Sequence, residues 1–410
     1  MKSENAGNRL LLCLFLLLPF FHLLSLPLLA GLGAWTLWQQ RSSLGQRLRE
    51  CLPLLFLLGT TLLLTPWTLD PARHLYGWVV HLAWYIFVYV FVRLRLDAGL
   101  KPESLVTVLL AGAVPICLLG WVQYANFGFV IRTLPLPPGD GLWSFYLIDL
   151  VMVPVQHAHA RIYSLFYAPP MLGVYLAVLL PLGLHRLQKA RSARARLLWA
   201  GTLFLLVSGL VLSYTRIAWI AAAIAAGAWF AAAGSRRILL WLLACLALLG
   251  GISLAWPPLW QQAWERLLSI GSLEHYSNAG RIEIWQRSWQ AFCTHWFSGT
   301  GLLNFWRVFP EYRWRWPHAH SLLLQQLLEM GLVATCLFYA WLGTLFRRLG
   351  SEPLARALGC GLLAWLVCGW ADYPAYEPRN QFLFWTLAAL AAQAGTAPST
   401  PAGDHSRIAL

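Results

Sequence analysis

The sequence predicts an all-α fold, a polytopic membrane helical bundle of about 12 transmembrane helices, and three observations predict it. Apolar runs recur along the chain, whose 410 residues are 59% hydrophobic with a mean hydropathy of +0.59. Several of these runs reach the roughly 20 residues that cross about 30 Å of hydrocarbon. Charged residues make up only 11%, against roughly a quarter in soluble globular domains.

Taken in order, the spans fall near residues 10 to 38, as two short helices hinged near Pro19 to Pro27 or one long tilted helix, then 53 to 69, 76 to 93, 104 to 124, 168 to 185 and 197 to 214. They continue at 216 to 233, 238 to 256, 319 to 346, 354 to 371 and 379 to 394. The first run lacks a small-residue cleavage site and leads directly into further spans, so it reads as membrane helix and not as a removable signal. The cations between the runs cluster on alternate sides. Arg41, Arg47 and Arg49, then Arg93, Arg95 and Lys101, then Arg186, Lys189, Arg191, Arg194 and Arg196 share one side with Arg236, Arg237, Arg347, Arg348 and Arg356. By the positive-inside rule that side is cytoplasmic. All three lysines, Lys2, Lys101 and Lys189, fall there, which leaves arginine as the fixed cation of the outer face.

A net charge of +14 could suggest nucleic acid, but a nucleic-acid footprint gathers on one soluble face, and these cations are spread between apolar runs. Nucleic acid is excluded as a partner. Of the eight cysteines, six lie within spans, and none forms a CxxC or a Cys/His ligand spacing, so no metal site is expected.

The outer face owns two long connections, residues 125–167 and 257–318, and a short one at 372–378. Both long loops are rich in Trp, Tyr, Pro and Arg, a composition that packs. The second contains PLWQQAWERLLS and RIEIWQRSWQAF, whose apolar residues recur at helical spacing and predict amphipathic helices at the interface. The segment 395–410 is polar and reads as a disordered tail.

Chemistry is sought on the outer face. His320, in RWPHAHSLLLQQLL, is predicted in the first turn of a membrane helix, where the positive end of the dipole keeps imidazole neutral and able to accept a proton. A capping histidine is the plainer reading, and His318 is the alternative base. Arg161, Arg216, Arg281 and Arg379 lie at membrane edges, where an arginine is costly unless paired or facing a wet cavity. Their forked donors suit a diphosphate, with snorkelling to lipid phosphate as the plainer reading. Only six Asp and ten Glu occur, none in a DxD pair, which disfavours a metal-bound nucleotide sugar. Asp372, in GWADYP, is placed to orient the histidine, or simply to cap its loop. Glu329 lies roughly 13 Å along the helix from His320 and reads as a buried structural acid.

Four motifs, ARIYSLFYAPPMLGVYLAVLLPL, LSYTRIAWIA, SNAGRIEIWQRSWQAFCTHWFSGTGLLNFW and HAHSLLLQQLLEMGL, follow in order between Arg161 and Arg379. On them the chain resembles the O-antigen ligase and polymerase superfamily. The resemblance implies a metal-independent, cofactor-free, inverting transfer of a glycan from undecaprenyl diphosphate to a hydroxyl, in ligases a sugar of the lipid A core. It places the protein in the bacterial inner membrane with residues 1–394 as one transmembrane domain, the two long loops periplasmic and the tail cytoplasmic. It assigns the essential histidine to His320, the diphosphate to Arg161, Arg216 and Arg281, and a supporting acid to Asp372. The family often has Asn after the histidine where Ser321 stands, and either residue can hydrogen-bond near a helix start. The short C-terminal extension favours a ligase over a protein oligosaccharyltransferase. A polymerase remains open, as does a transporter that guides an anion with its arginines.

Overall fold

The computed structural model describes residues 2–18, 22–125, 130–135, 146–153, 161–166, 168–233, 236–255, 257–269, 272, 276–312 and 317–395. The helices are, in order, α1 (Lys2–Leu17), α2 (His22–Gln39), α3 (Arg41–Glu50), α4 (Leu52–Leu63), α5 (Pro71–Gly77), α6 (Trp84–Asp97) and α7 (Pro102–Ala125). One π-helical stretch, Trp78–Ala83, joins α5 to α6. After the first long loop come α8 (Pro169–Lys189), α9 (Ala193–Leu212), α10 (Arg216–Ala233), α11 (Arg236–Ala255), α12 (Pro257–Leu268) and α13 (Tyr276–Thr294). The chain ends with α14 (Phe305–Val308), α15 (Leu322–Arg347), α16 (Pro353–Ala371) and α17 (Pro378–Ala394).

Among the described residues, six helices are long and apolar enough to cross a membrane: Pro71–Asp97, Pro102–Tyr124, α8, α9, α15 and α16. Three shorter apolar helices accompany them, at Ala6–Leu17, Leu52–Leu63 and Arg216–Ala232. The first apolar run is two helices, α1 and α2, with Pro27 inside α2, which decides between the one- and two-helix readings, and the second long loop carries α12 and α13 where the amphipathic pattern lies. The first long loop departs from an all-α reading. It contains an antiparallel ribbon, β1 (Val130–Pro135) paired with β2 (Tyr146–Val153), with Val130 opposite Val153 and Pro135 opposite Tyr146. Of residues 395–410, read from sequence as a disordered tail, Gly395 caps α17 and 396–410 lie outside the described residues.

The bundle is organised around α8. Every residue from Met171 to His185 is buried, as a helix apolar on all sides must be. α7, α9, α10, α16 and α17 pack around it. This arrangement brings together the N-terminal ends of α8, α10, α15 and α17 and the C-terminal ends of α9 and α16, so the short turns between them share one end of the bundle.

A second, smaller core stands at that end. Ile284 of α13, Phe305, Phe309, Tyr312, Ala319 and Leu328 form it, and it fastens α13 and α14 onto the start of α15. The seam is secured by a break in α15 that the sequence pattern does not reveal. Gly331 has φ +73° and ψ 178°, and a Cβ there would lie 2.3 Å from the Phe297 carbonyl oxygen. The backbone groups near the break bond to the 296–301 loop instead: Leu332 N donates to Trp296 O (2.8 Å), Thr300 N to Leu328 O (2.7 Å) and Gly301 N to Glu329 O (3.0 Å). On its other side the loop is held by the α4–α5 turn, through Leu69 N to Thr300 O and Leu302 N to His74 Nδ1, both 3.0 Å. Glu329 is buried beside this seam, as expected of a structural acid.

Candidate active site

The turn between α9 and α10 has almost no loop, so the chain reverses through Tyr214 at φ +47° and delivers Arg216 as the first residue of α10. Arg161 approaches from the strand-like segment before α8. Gln123 Oε1 accepts from the backbone N–H groups of Tyr163 and Ser164 (3.0 Å each), and Ile162 N donates to Leu212 O (3.1 Å). These bonds anchor the segment beside the α9–α10 turn. Arg161 Nε then donates to Ser213 O (3.0 Å) and NH2 to Thr215 Oγ1 (3.1 Å).

From the other side, α12 and α13 contribute Arg266 and Arg281. The four guanidinium groups line one cavity of about 270 Å³, together with Tyr214, Thr215, Asn278 and Trp285 and an apolar strip that includes Ile217, Ile220 and Ile282. Arg216 donates to Ser269 O and Oγ and to Asn278 Oδ1 (2.8 Å), and Arg281 to Ser277 Oγ (3.0 Å). None of the four is in an ion pair among the described residues. Among the described residues, no carboxylate lines the cavity. Burial, and after it the charge of Arg266, draws the Arg161 guanidinium down to about 10, with Asp372 opposing and Arg281 and Arg216 adding to the shift. Arg161 therefore remains a cation at neutral pH, held at a concentration of positive charge that an anion would relieve.

The histidine stands immediately beyond the cavity wall. Trp285, which lines the cavity, donates its indole N–H to the His320 carbonyl (3.2 Å), and Asp372 follows the lining residue Ala371. His320 is not in the first turn of the helix, as the sequence suggested. Ser321 is the N-cap, its Oγ accepting from Leu324 N at 3.4 Å, and this leaves His320 just outside the helix with φ +50°. The left-handed backbone turns its imidazole toward the end of α16. There Nδ1 lies 3.3 Å from Asp372 Oδ1, which also accepts from Tyr373 N at 2.8 Å.

A carboxylate only accepts, so the pairing places the His320 proton on Nδ1 and leaves Nε2 with a free lone pair. Nε2 has no hydrogen-bond partner among the described residues, and the side chain is 20% exposed. Burial alone would raise the Asp372 carboxyl. The hydrogen bond from His320, reinforced by the charges of His320, His318 and Arg281, outweighs it and holds Asp372 well below the usual carboxylate range. His318 is buried against Tyr373 and Tyr376, and its Nδ1 accepts from His320 N (3.2 Å). Burial, with His320 adding and Asp372 opposing, pushes His318 far below the ordinary imidazole range, so it stays uncharged. His318, His320 and Asp372 together place one ligand atom each within 4.8 Å of one another. The sequence reading placed Asp372 to orient the histidine, but the grouping of all three was not foreshadowed, because Asp372 arrives from a different helix.

Residues 201–339 match a family model described as O-antigen ligase. The match supports assigning the chain to the O-antigen ligase family. It covers Arg216, Arg266, Arg281, His318 and His320, while Arg161 and Asp372 join them from outside the matched stretch. No curated protein matches the chain. The matched stretch and the apolar helices together support a multi-pass membrane protein with a ligase- or polymerase-type function on lipid-linked glycans.

Of the residues singled out in the sequence, Arg161, Arg216 and Arg281 meet in the cavity, and His320, His318 and Asp372 meet beside it. Arg379 does neither. It is 3% exposed, ion-paired with Glu377 at 2.6 Å and stacked over the Phe166 ring at 5.4 Å. Arg266 was missed. It sits in an amphipathic helix beside Glu265, and only the fold turns it toward the other three arginines.

Proposed function

We propose that the protein is an O-antigen ligase of the bacterial inner membrane. It would transfer a glycan from undecaprenyl diphosphate to the lipid A core oligosaccharide at the periplasmic face, without a metal and with inversion. Residues 1–394 form its single transmembrane domain, with the 125–167 and 257–318 loops periplasmic. The observation that carries the reading is the juxtaposition of four arginines, without a carboxylate partner among the described residues, with a His–Asp pair one residue beyond their cavity wall.

In this reading Arg161, Arg216, Arg281 and Arg266 bind the diphosphate, and the isoleucine strip receives the start of the prenyl chain. His320 Nε2 takes the proton of the acceptor hydroxyl as its oxygen attacks the anomeric carbon. The bond from that carbon to the diphosphate breaks, and the leaving oxygen keeps the electron pair. One further negative charge develops on the departing diphosphate, which already carries one per phosphate, and it develops opposite fixed cations, which is where preorganised charge lowers a barrier most. Asp372 holds the His320 tautomer and stabilises the imidazolium that forms.

The test is reconstitution with a lipid-linked glycan, offering lipid A core, free lipid-linked glycan and a protein acceptor in parallel after EDTA treatment. Product on lipid A core that vanishes in His320→Ala is the expected result. Lengthened lipid-linked glycan would make the protein a polymerase. Loss of transfer in EDTA that a divalent ion restores would refute the metal-free scheme.

A further inference from the structure

The geometry points to an inhibitory zinc site built from His318, His320 and Asp372, in which a bound Zn²⁺ switches off the base by capturing its tautomer. The inhibition rests on the reading of His320 as the base, whereas the site itself does not. Zinc bound by imidazole and carboxylate at about 2.0–2.1 Å in a tetrahedron sets its ligand atoms roughly 3.3 Å apart. His320 Nδ1 already lies 3.3 Å from Asp372 Oδ1, and His318 Nε2 lies 3.9 Å from it. All three ligand atoms lie within 4.8 Å of one another.

A second observation points to a cation. Asp372 Oδ2 is buried and has no hydrogen-bond partner among the described residues, although the neighbouring oxygen has two. An orphaned carboxylate oxygen in a dry site is costly, and a metal ion would satisfy it. Two imidazoles with one carboxylate and an open fourth position is a donor set that suits zinc. The adjustment is small. Zinc displaces the proton on His320 Nδ1 and that on His318 Nε2, and the hydrogen bond from His320 N to His318 Nδ1 is given up as the His318 proton moves to Nδ1.

The chemical consequence follows from imidazole having two nitrogens. In the metal-free state Nδ1 carries the proton and Nε2 the lone pair. With zinc on Nδ1 the neutral ring must carry its proton on Nε2, and no lone pair remains to accept one from an acceptor hydroxyl. The ion therefore blocks the base without entering the arginine cavity, and donor binding should survive.

The experiment uses the purified full chain in lipid nanodiscs, stripped with EDTA and titrated with Zn²⁺ against a chromophoric zinc chelator, while donor binding and glycan transfer are followed in parallel. The expected result is one tightly bound zinc per chain, loss of transfer over the same concentration range, unchanged donor binding, and recovery on adding EDTA. Asp372→Asn and His318→Asn should each weaken zinc binding at least about tenfold. Cobalt offered in place of zinc should give the visible bands of a four-coordinate site, a readout that depends on no variant. No stoichiometric binding, or equal zinc affinity in both variants when they retain the wild-type unfolding temperature, overturns the site. Binding that leaves transfer unchanged overturns the inhibition, and binding that raises transfer overturns both the inhibition and the metal-free reading of His320.

Discussion

The two ends of the bundle treat their cations in opposite ways. At the end away from the cavity, Glu103 receives His185 (3.0 Å), Arg186 (2.8 Å) and Lys189 (2.7 Å). Glu50 and Asp97 together hold Arg47, and Glu50 also reaches Arg93 at 3.0 Å. At the cavity end, Arg161, Arg216, Arg266 and Arg281 converge with no carboxylate among the lining residues. Cations matched by protein anions are part of the architecture. Cations gathered without them are costly in the folded protein and become favourable when an external anion arrives. Arg379 shows the distinction within the cavity end itself, since its pairing with Glu377 removes it from the set available to a ligand.

This contrast can be sharpened by substitutions of decreasing effect. Asp372→Asn should lower kcat by about 10²-fold with donor affinity nearly unchanged, because the amide no longer fixes the tautomer or stabilises the imidazolium. Steady-state transfer assays at saturating donor check it. Arg216→Ala should weaken donor binding by about 10- to 100-fold, the scale of a lost hydrogen bond to a charged group, measured as Kd for lipid-linked glycan. Arg266→Ala should weaken the same Kd by about tenfold, and an unchanged value would remove Arg266 from the site. Glu103→Gln should leave transfer and donor Kd unaltered and lower stability by about 1 kcal/mol, seen as a small drop in unfolding temperature in detergent, since its partners are partly exposed.

The sequence displayed some of this arrangement and concealed the rest, for reasons that differ by residue. Arg216 was legible because apolar spans flank it on both sides, so no loop could carry it into water. Asp372 was legible as a polar residue at a span end that could orient the histidine, and the contact forms because α15 and α16 meet at one end of the bundle. His320 was legible as a candidate base, while its backbone was not. Only the cap hydrogen bond shows that the helix begins at Ser321 and leaves the histidine in a left-handed turn. The break at Gly331 was hidden because EMGLVAT fits a continuous helix. Its cause is the 296–301 loop, some thirty residues earlier, which supplies the hydrogen bonds the helix gives up. The β1–β2 ribbon was hidden because its strands lie within a long Pro-rich connection that carries no clear alternating pattern of its own.

The central claim is that the arginine-lined cavity, with no carboxylate among its described lining residues, holds a diphosphate. The most direct measurement is equilibrium binding of radiolabelled lipid-linked glycan to the nanodisc-embedded protein, comparing wild type, Arg161→Gln/Arg216→Gln and Glu103→Gln. The account predicts at least about a 100-fold loss of affinity in the double variant, from two charged hydrogen-bonding groups removed, and none in Glu103→Gln. Equal affinity in all three, or an equal loss in both variants, would contradict it.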